Sequence, residues 1–143
     1  MNNAKWFLSS YKRCRRRVDD LLDQIAEINA QATKVTQIMR DDGSSGTRRT
    51  DGLASTIARL MDKKDELQAE IDEMMQQQQT VEDTIKRVGN SMQKQVLHKR
   101  YVLCQGYEQI AEDMGITERY AFKLHGFGLL AVQAIREREE SGK

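Results

Sequence analysis

Two stretches of this chain carry the same apolar spacing, and the second mirrors the first. Phe7, Tyr11, Cys14, Val18, Leu21, Ile25, Ile28, Ala32, Val35 and Met39 are separated by alternating steps of four and three. Leu53, Ile57, Leu60, Lys64, Leu67, Ile71, Met74, Gln78, Val81 and Ile85 repeat that alternation, with Lys64 and Gln78 as polar members. Such a 3.5-residue repeat is the seam of a coiled coil. Folding the chain back on itself sets Met39 against Leu53, Leu21 against Ile71, Tyr11 against Val81 and Phe7 against Ile85, and the numbers of every such pair sum to 92. An antiparallel hairpin needs this layer-by-layer agreement. Residues 1–90 therefore predict a long helical hairpin. The polar, Gly- and Ser-containing segment 41–52 has no period and predicts the loop. Two helices alone bury little apolar surface, so self-association along the hairpin is expected.

Composition agrees with an all-α chain. There is no proline among the 143 residues, and the hydrophobic fraction is 38%. No apolar run reaches the roughly 18 residues of a membrane span. The N-terminal segment reaches the basic residue Lys12 without an apolar core of the secretory kind. Cys14 and Cys104 are the two cysteines and form no CxxC pattern, which argues against a disulfide framework or a zinc ribbon. These features predict a cytoplasmic protein.

The net charge of +1 conceals an asymmetry along the chain. Residues 1–40 hold eight basic and four acidic side chains, whereas residues 51–88 hold five and nine. The basic excess centres on Lys12, Arg13, Arg15, Arg16 and Arg17. In the hairpin register these five lie opposite residues 75–80, which are mostly Gln, so the cluster is expected to stay unneutralised across the hairpin. That predicts a second surface for a nucleic-acid backbone. The alternative is a solvated basic face partly paired with Asp19, Asp20 and Asp23 on its own helix.

Beyond residue 90 the pattern changes. Ser91 is a plausible cap for a helix from Met92 to about Leu103, although Val88 and Met92 also continue the seam. Gly106 opens a short helix ending at Met114. Gly115-Ile116-Thr117 reads as a turn: glycine past a helix end, then a threonine cap. The helix from Glu118 carries Ala121, Leu124, Leu129 and Val132 on or near one face. Residues 91–138 thus predict a helix-turn-helix domain, with Ile110, Ala111, Ile116, Ala121 and Leu124 as its interior and 139–143 as a frayed tail. Cys104 is expected to be buried.

The stretch Leu97-His98-Lys99-Arg100-Tyr101, then Tyr107 through Thr117, then Lys123-Leu124-His125-Gly126, resembles the C-terminal promoter-reading domain of bacterial sigma factors. More closely, it is similar to the small bacteriophage late-transcription regulators of the ArpU/RinA type. There an L-x-x-RY helix precedes W-E-x-IA-x-x-MG-x-S and a helix ending in LHG. The match spans about 30 of the 143 residues. Four positions depart from that pattern. Gly106 replaces a Ser or Thr cap, Ala121 a branched apolar residue, Phe122 a polar residue, and Cys104 a common Gly. The resemblance implies an activator in a bacterial host cell that binds double-stranded promoter or operator DNA, with RNA polymerase as a further partner to consider.

In a helix-turn-helix the second helix enters the major groove and its first residues reach base edges. Thr117, Glu118, Arg119, Tyr120, Phe122, Lys123 and His125 are the outward-facing candidates. Arg119 can pair bidentately with guanine, Glu118 can accept from a cytosine amino group, and Phe122 can meet a thymine methyl or pack on a neighbour. Lys123 suits a phosphate. His125 has no partner at metal-ligand spacing.

No phosphate-binding glycine loop, HExxH or nucleophile–histidine pattern is present, so neither an enzyme nor a cofactor is expected. Gly126-Phe127-Gly128 interrupts a helix and does not resemble a nucleotide cradle. Two other readings stand beside the transcription regulator. One is a phage small terminase subunit, which also joins a DNA-binding helix-turn-helix to an oligomerising coiled coil. The other is a coiled-coil adaptor without specific DNA binding.

Overall fold

The computed structural model describes residues 3–41 and 47–142. Helix α1 spans Asn3–Asp41, α2 Thr47–Lys86, α3 Ser91–Leu97, α4 Tyr107–Met114 and α5 Glu118–Ser141, and a π-helical turn covers His98–Val102. No strand occurs among the described residues. The protein is all-helical: a helical hairpin with a small helical domain. Among the described residues no helix is long and apolar enough to cross a membrane.

Every seam position from Phe7 to Met39 and from Leu53 to Ile85 is buried or half-buried, including Lys64 and Gln78. The chain forms two compact units, Arg16–Met74 and Met1–Arg15 with Met75–Lys143. In the first, Leu21, Ile28, Leu67 and Ile71 form the core, with Val18, Ile25, Leu60 and Met61 packed against it. Leu21 and Ile71, expected layer partners, share that cluster. Arg17 Nε donates to Glu70 Oε1 at 2.9 Å across the helix pair. The expectation of an unneutralised basic cluster is thus corrected at Arg17. Its long side chain reaches past its layer opposite to an acid more than a turn away.

In the second unit, Ala4 and Leu8 of α1 join Val81, Ile85 and Val88 of the α2 segment, Leu97, Tyr101 and Val102, and Leu129, Val132 and Ile135 of α5 in one core. This explains why the division falls inside the hairpin rather than at residue 90. The first turns of α1 bury Ala4 and Leu8, which lie off the seam, as well as the half-buried Phe7 and Tyr11. Gln77 Nε2 donates to Ser10 Oγ at 3.1 Å, and Gln78 Nε2 to the Tyr11 carbonyl at 3.4 Å. The glutamine run here serves the helix pair, at the half-buried Gln77 and Gln78.

Several sequence boundaries move. Helix α2 begins at Thr47, so residues 47–52 of the expected loop are helical. Residues 42–46 of that loop lie outside the described residues. The segment is polar but has no proline, and a glycine such as Gly52 weakens a helix without forbidding it. Helix α2 does not run on: tight turns close it, with Arg87 N on Thr84 O and Val88 N on Ile85 O, both at 3.1 Å. The cap of α3 is Asn90, not Ser91. Asn90 has φ −80° and ψ 120°, and its side chain accepts from Gln93 N at 3.0 Å. The expected helix to Leu103 ends at Leu97 and passes into the π-helical turn, where Leu103 N bonds His98 O at 3.1 Å.

Of the segment expected to be a frayed tail, residues 139–141 are helical, because α5 runs to Ser141. Ile135 is buried, Arg87 pairs with Glu139, and Gln133 Nε2 donates to Glu137 at 3.0 Å. The burial of Ile135 and the ion pair to Arg87, in the turn after α2, are contacts that composition alone does not show.

Candidate nucleic-acid interface

The second half of the Met75–Lys143 segment builds a helix-turn-helix. Helix α4 starts after Gly106, which has extended backbone and no side chain to cap with. It ends at Gly115, whose φ of 67° is the left-handed conformation that favours glycine. Ile116 N then bonds Ala111 O at 3.0 Å, closing the turn. Thr117 caps α5, its hydroxyl accepting from Tyr120 N at 3.1 Å. The acidic Glu118 occupies the first turn, where the helix dipole favours negative charge. Val96, Ile110, Ala111, Ala121 and Leu124 make a common core, with Met92, Tyr107, Met114 and Ile116 packed on it. All five expected interior residues lie in this group.

The sequence candidates then divide. Thr117, Glu118, Arg119, Tyr120, Phe122 and Lys123 are exposed. Arg119 and Lys123 stand one turn apart and share a face. Phe122 is 63% exposed, yet its ring meets Tyr107 edge-to-face with centroids 5.3 Å apart. Of its two sequence readings, packing thus has a contact in the structure, to Tyr107 of α4.

His125 is a correction. It was expected to face outward, and it is buried. Nε2 lies 2.7 Å from the Tyr101 hydroxyl, and the two rings stack with centroids 5.6 Å apart. Burial, with the Arg100 guanidinium and Lys5 adding to it, pushes the imidazole pKa down to about 4. At neutral pH the ring is an uncharged core group. Burial likewise raises the Tyr101 phenol to about 12. The helical spacing that puts His125 inward was legible: it follows Ala121 by four residues and precedes Leu129 by four.

Sequence reasoning missed the groups that support this arrangement. Arg100 lies over the Tyr107 ring at 4.6 Å and donates to the Gln105 carbonyl at 3.0 Å. Lys99 Nζ lies 3.8 Å from Asp113 of α4. The L-x-x-RY residues thus brace the helix-turn-helix from behind. Cys104, expected to be buried, is exposed and has φ 58°. The connection from the π-helical turn to α4 needs a left-handed residue there. That is a position glycine fits better.

Lys12, Arg13, Arg15, Arg16 and Arg17 are all exposed. Arg13 stacks over Trp6 at 3.6 Å and donates to the Trp6 carbonyl at 3.0 Å. Among the described residues no group of three or more His, Cys, Asp or Glu is placed to hold a metal ion. No family model, curated protein or solved structure matches the chain.

Proposed function

We propose that this protein is a sequence-specific DNA-binding transcriptional regulator, reading promoter or operator DNA through α4 and α5. The observation that carries the reading is the start of α5. Behind a glycine turn and a threonine cap, Arg119, Tyr120, Phe122 and Lys123 are exposed on the first two turns, while Ala121 and Leu124 anchor the helix from below. A recognition helix needs this division between a fixed inner face and outward donors near its N-terminus. The resemblance to sigma-factor and ArpU/RinA-type regulators, carried by Leu97–Tyr101 and Tyr107–Thr117, supports promoter DNA as the target and activation in a phage or prophage setting. Arg119 serves base readout and Lys123 the phosphates.

The test is selection of bound duplexes from a random pool at about 150 mM salt, where purely electrostatic binding is weakened. One enriched sequence is expected. Arg119→Ala should relax preference at one position, and Lys123→Ala should weaken all duplexes alike. A pool that stays random after repeated rounds removes this reading.

A further inference from the structure

The outward face of α5 is apolar well beyond the residues assigned to DNA. Tyr120 is 42% exposed, Phe127 49% and Leu130 65%, and Ala134 is exposed one turn further on. Tyr120, Phe127 and Ala134 are spaced by sevens, and Lys123, Leu130 and Glu137 fill the intervening positions, again spaced by sevens. The steps are three and four, the spacing of a coiled-coil seam. This stripe lies opposite the buried stripe of Ala121, Leu124, Gly128, Val132 and Ile135, so nothing in its own unit can cover it.

We propose that a second copy of this chain docks antiparallel on this face of α5. Three observations favour a copy over an unrelated partner. The stripe is self-complementary in charge: Lys123 stands near its start and Glu137 near its end, so only antiparallel pairing brings unlike charges together. Aligned in that sense, Phe127 meets Leu130 of the second copy and Lys123 lies over Ala134 of the second copy, within one turn of its Glu137. Gly126, one turn before Leu130, is exposed, and a methyl group added there would meet nothing within the chain. A glycine inside an exposed helix is unfavourable, and here no intrachain contact explains it. A helix approaching from outside does.

About three turns of pairing fall at the small, weak end of protein interfaces, below about 1,200 Å² in total. The docked state is therefore transient and concentration-dependent. It also covers Tyr120 and Lys123. If the DNA reading above is correct, on which this consequence rests, self-docking and DNA binding are alternatives, and the paired form masks the recognition helix.

Sedimentation of the full chain from about 5 to 200 μM tests the docking without DNA, over the range where weak interfaces of this size associate. Association is expected, and Leu130→Glu should weaken it at least tenfold; this residue is exposed, so the fold survives the change, as an unaltered thermal melt would show. Lys123→Glu and Glu137→Lys should each weaken association, and the double variant should restore it. A wild-type monomer throughout, Leu130→Glu associating like wild type, or a double variant no better than either single one overturns the proposal. With a selected duplex in hand, Leu130→Glu should bind it more tightly than wild type at high protein concentration. Failure to select any duplex would remove the DNA reading and leave the sedimentation result standing by itself.

Discussion

The Tyr101 hydroxyl and His125 Nε2 lie 2.7 Å apart in the interior of the helix-turn-helix unit, joining the π-helical turn to the middle of α5. This bond ties the segment before the motif to the helix that carries its outward residues. It also makes the fold sensitive to acid. The folded His125 stays neutral down to about pH 4, whereas the unfolded ring takes up its proton near the ordinary value of 6.5. Between these values the unfolded state binds more protons, so stability is full above the unfolded value and is lost as pH falls toward the folded one. Urea midpoints should fall by the equivalent of about 2 kcal/mol between roughly pH 7 and pH 5. His125→Gln should remove most of that slope while lowering stability at neutral pH. An unchanged slope in the variant would place the acid sensitivity elsewhere.

Two glycines in one helix should respond oppositely to the same substitution. A Cβ on Gly128 would lie 2.9 Å from Leu97 Cγ and 3.0 Å from Leu97 Cδ1, and Leu97 is fully buried. Overpacking of this kind costs about 1–3 kcal/mol, more than alanine's helix propensity returns. At Gly126 the same atom meets open space, so alanine should stabilise the monomer by about 0.5–1 kcal/mol. Thermal melts of Gly128→Ala and Gly126→Ala, moving in opposite directions, are the expected result.

Cys104 gives the converse case. Its φ of 58° is costly for a residue with a Cβ. Its sulfur lies at long range from the Tyr101 and Val102 carbonyls, 3.8 and 3.9 Å away. Cys104→Gly should therefore stabilise by about 1 kcal/mol, and Cys104→Val should destabilise, both read from urea midpoints.

The start of α3 can be settled by a pair of alanines. Asn90 accepts from Gln93 N at 3.0 Å, and Ser91 is the first helical residue. Asn90→Ala should lower stability by about 1 kcal/mol, and Ser91→Ala should change it by less than about 0.5. Equal losses would mean that the two residues share the cap.

What was legible in the sequence was what repeats. Ten seam positions in each arm reveal their partner through a constant sum, and a glycine–threonine turn between two apolar patterns marks its own helix ends. What was not legible depended on single long-range contacts. Ala4 and Leu8 read as ordinary helix positions until Val132 and Ile135 cover them. The pairing of Glu139 with Arg87 has no signal in the sequence around either residue. His125 carries the chemistry of an outward residue, but its helical phase, four residues from Ala121 and Leu129, turns it inward. Segment 47–52 has the polarity of a loop, but no proline breaks a helix there.

Two basic residues of α1 are engaged within the protein, and this gives the DNA reading a sharper test. Arg17 is held by Glu70 at 2.9 Å, so its charge is already answered within the protein. Arg13 is laid over Trp6 and bonded to its carbonyl. Lys12 and Arg15 are exposed. If the cluster lengthens the footprint on DNA, binding should release counterions in proportion to the charges that reach phosphates. Lys12→Ser with Arg15→Ser should then reduce the slope of log affinity against log salt by about 1 to 2. Arg17→Ser should leave that slope unchanged, because the Arg17 charge is engaged by Glu70 and is not placed on a phosphate. A slope insensitive to Lys12 and Arg15 would confine DNA contact to the helix-turn-helix. A slope that drops with Arg17 would mean that DNA binding breaks the Arg17–Glu70 pair, and the Glu70→Gln variant should then bind more tightly than wild type.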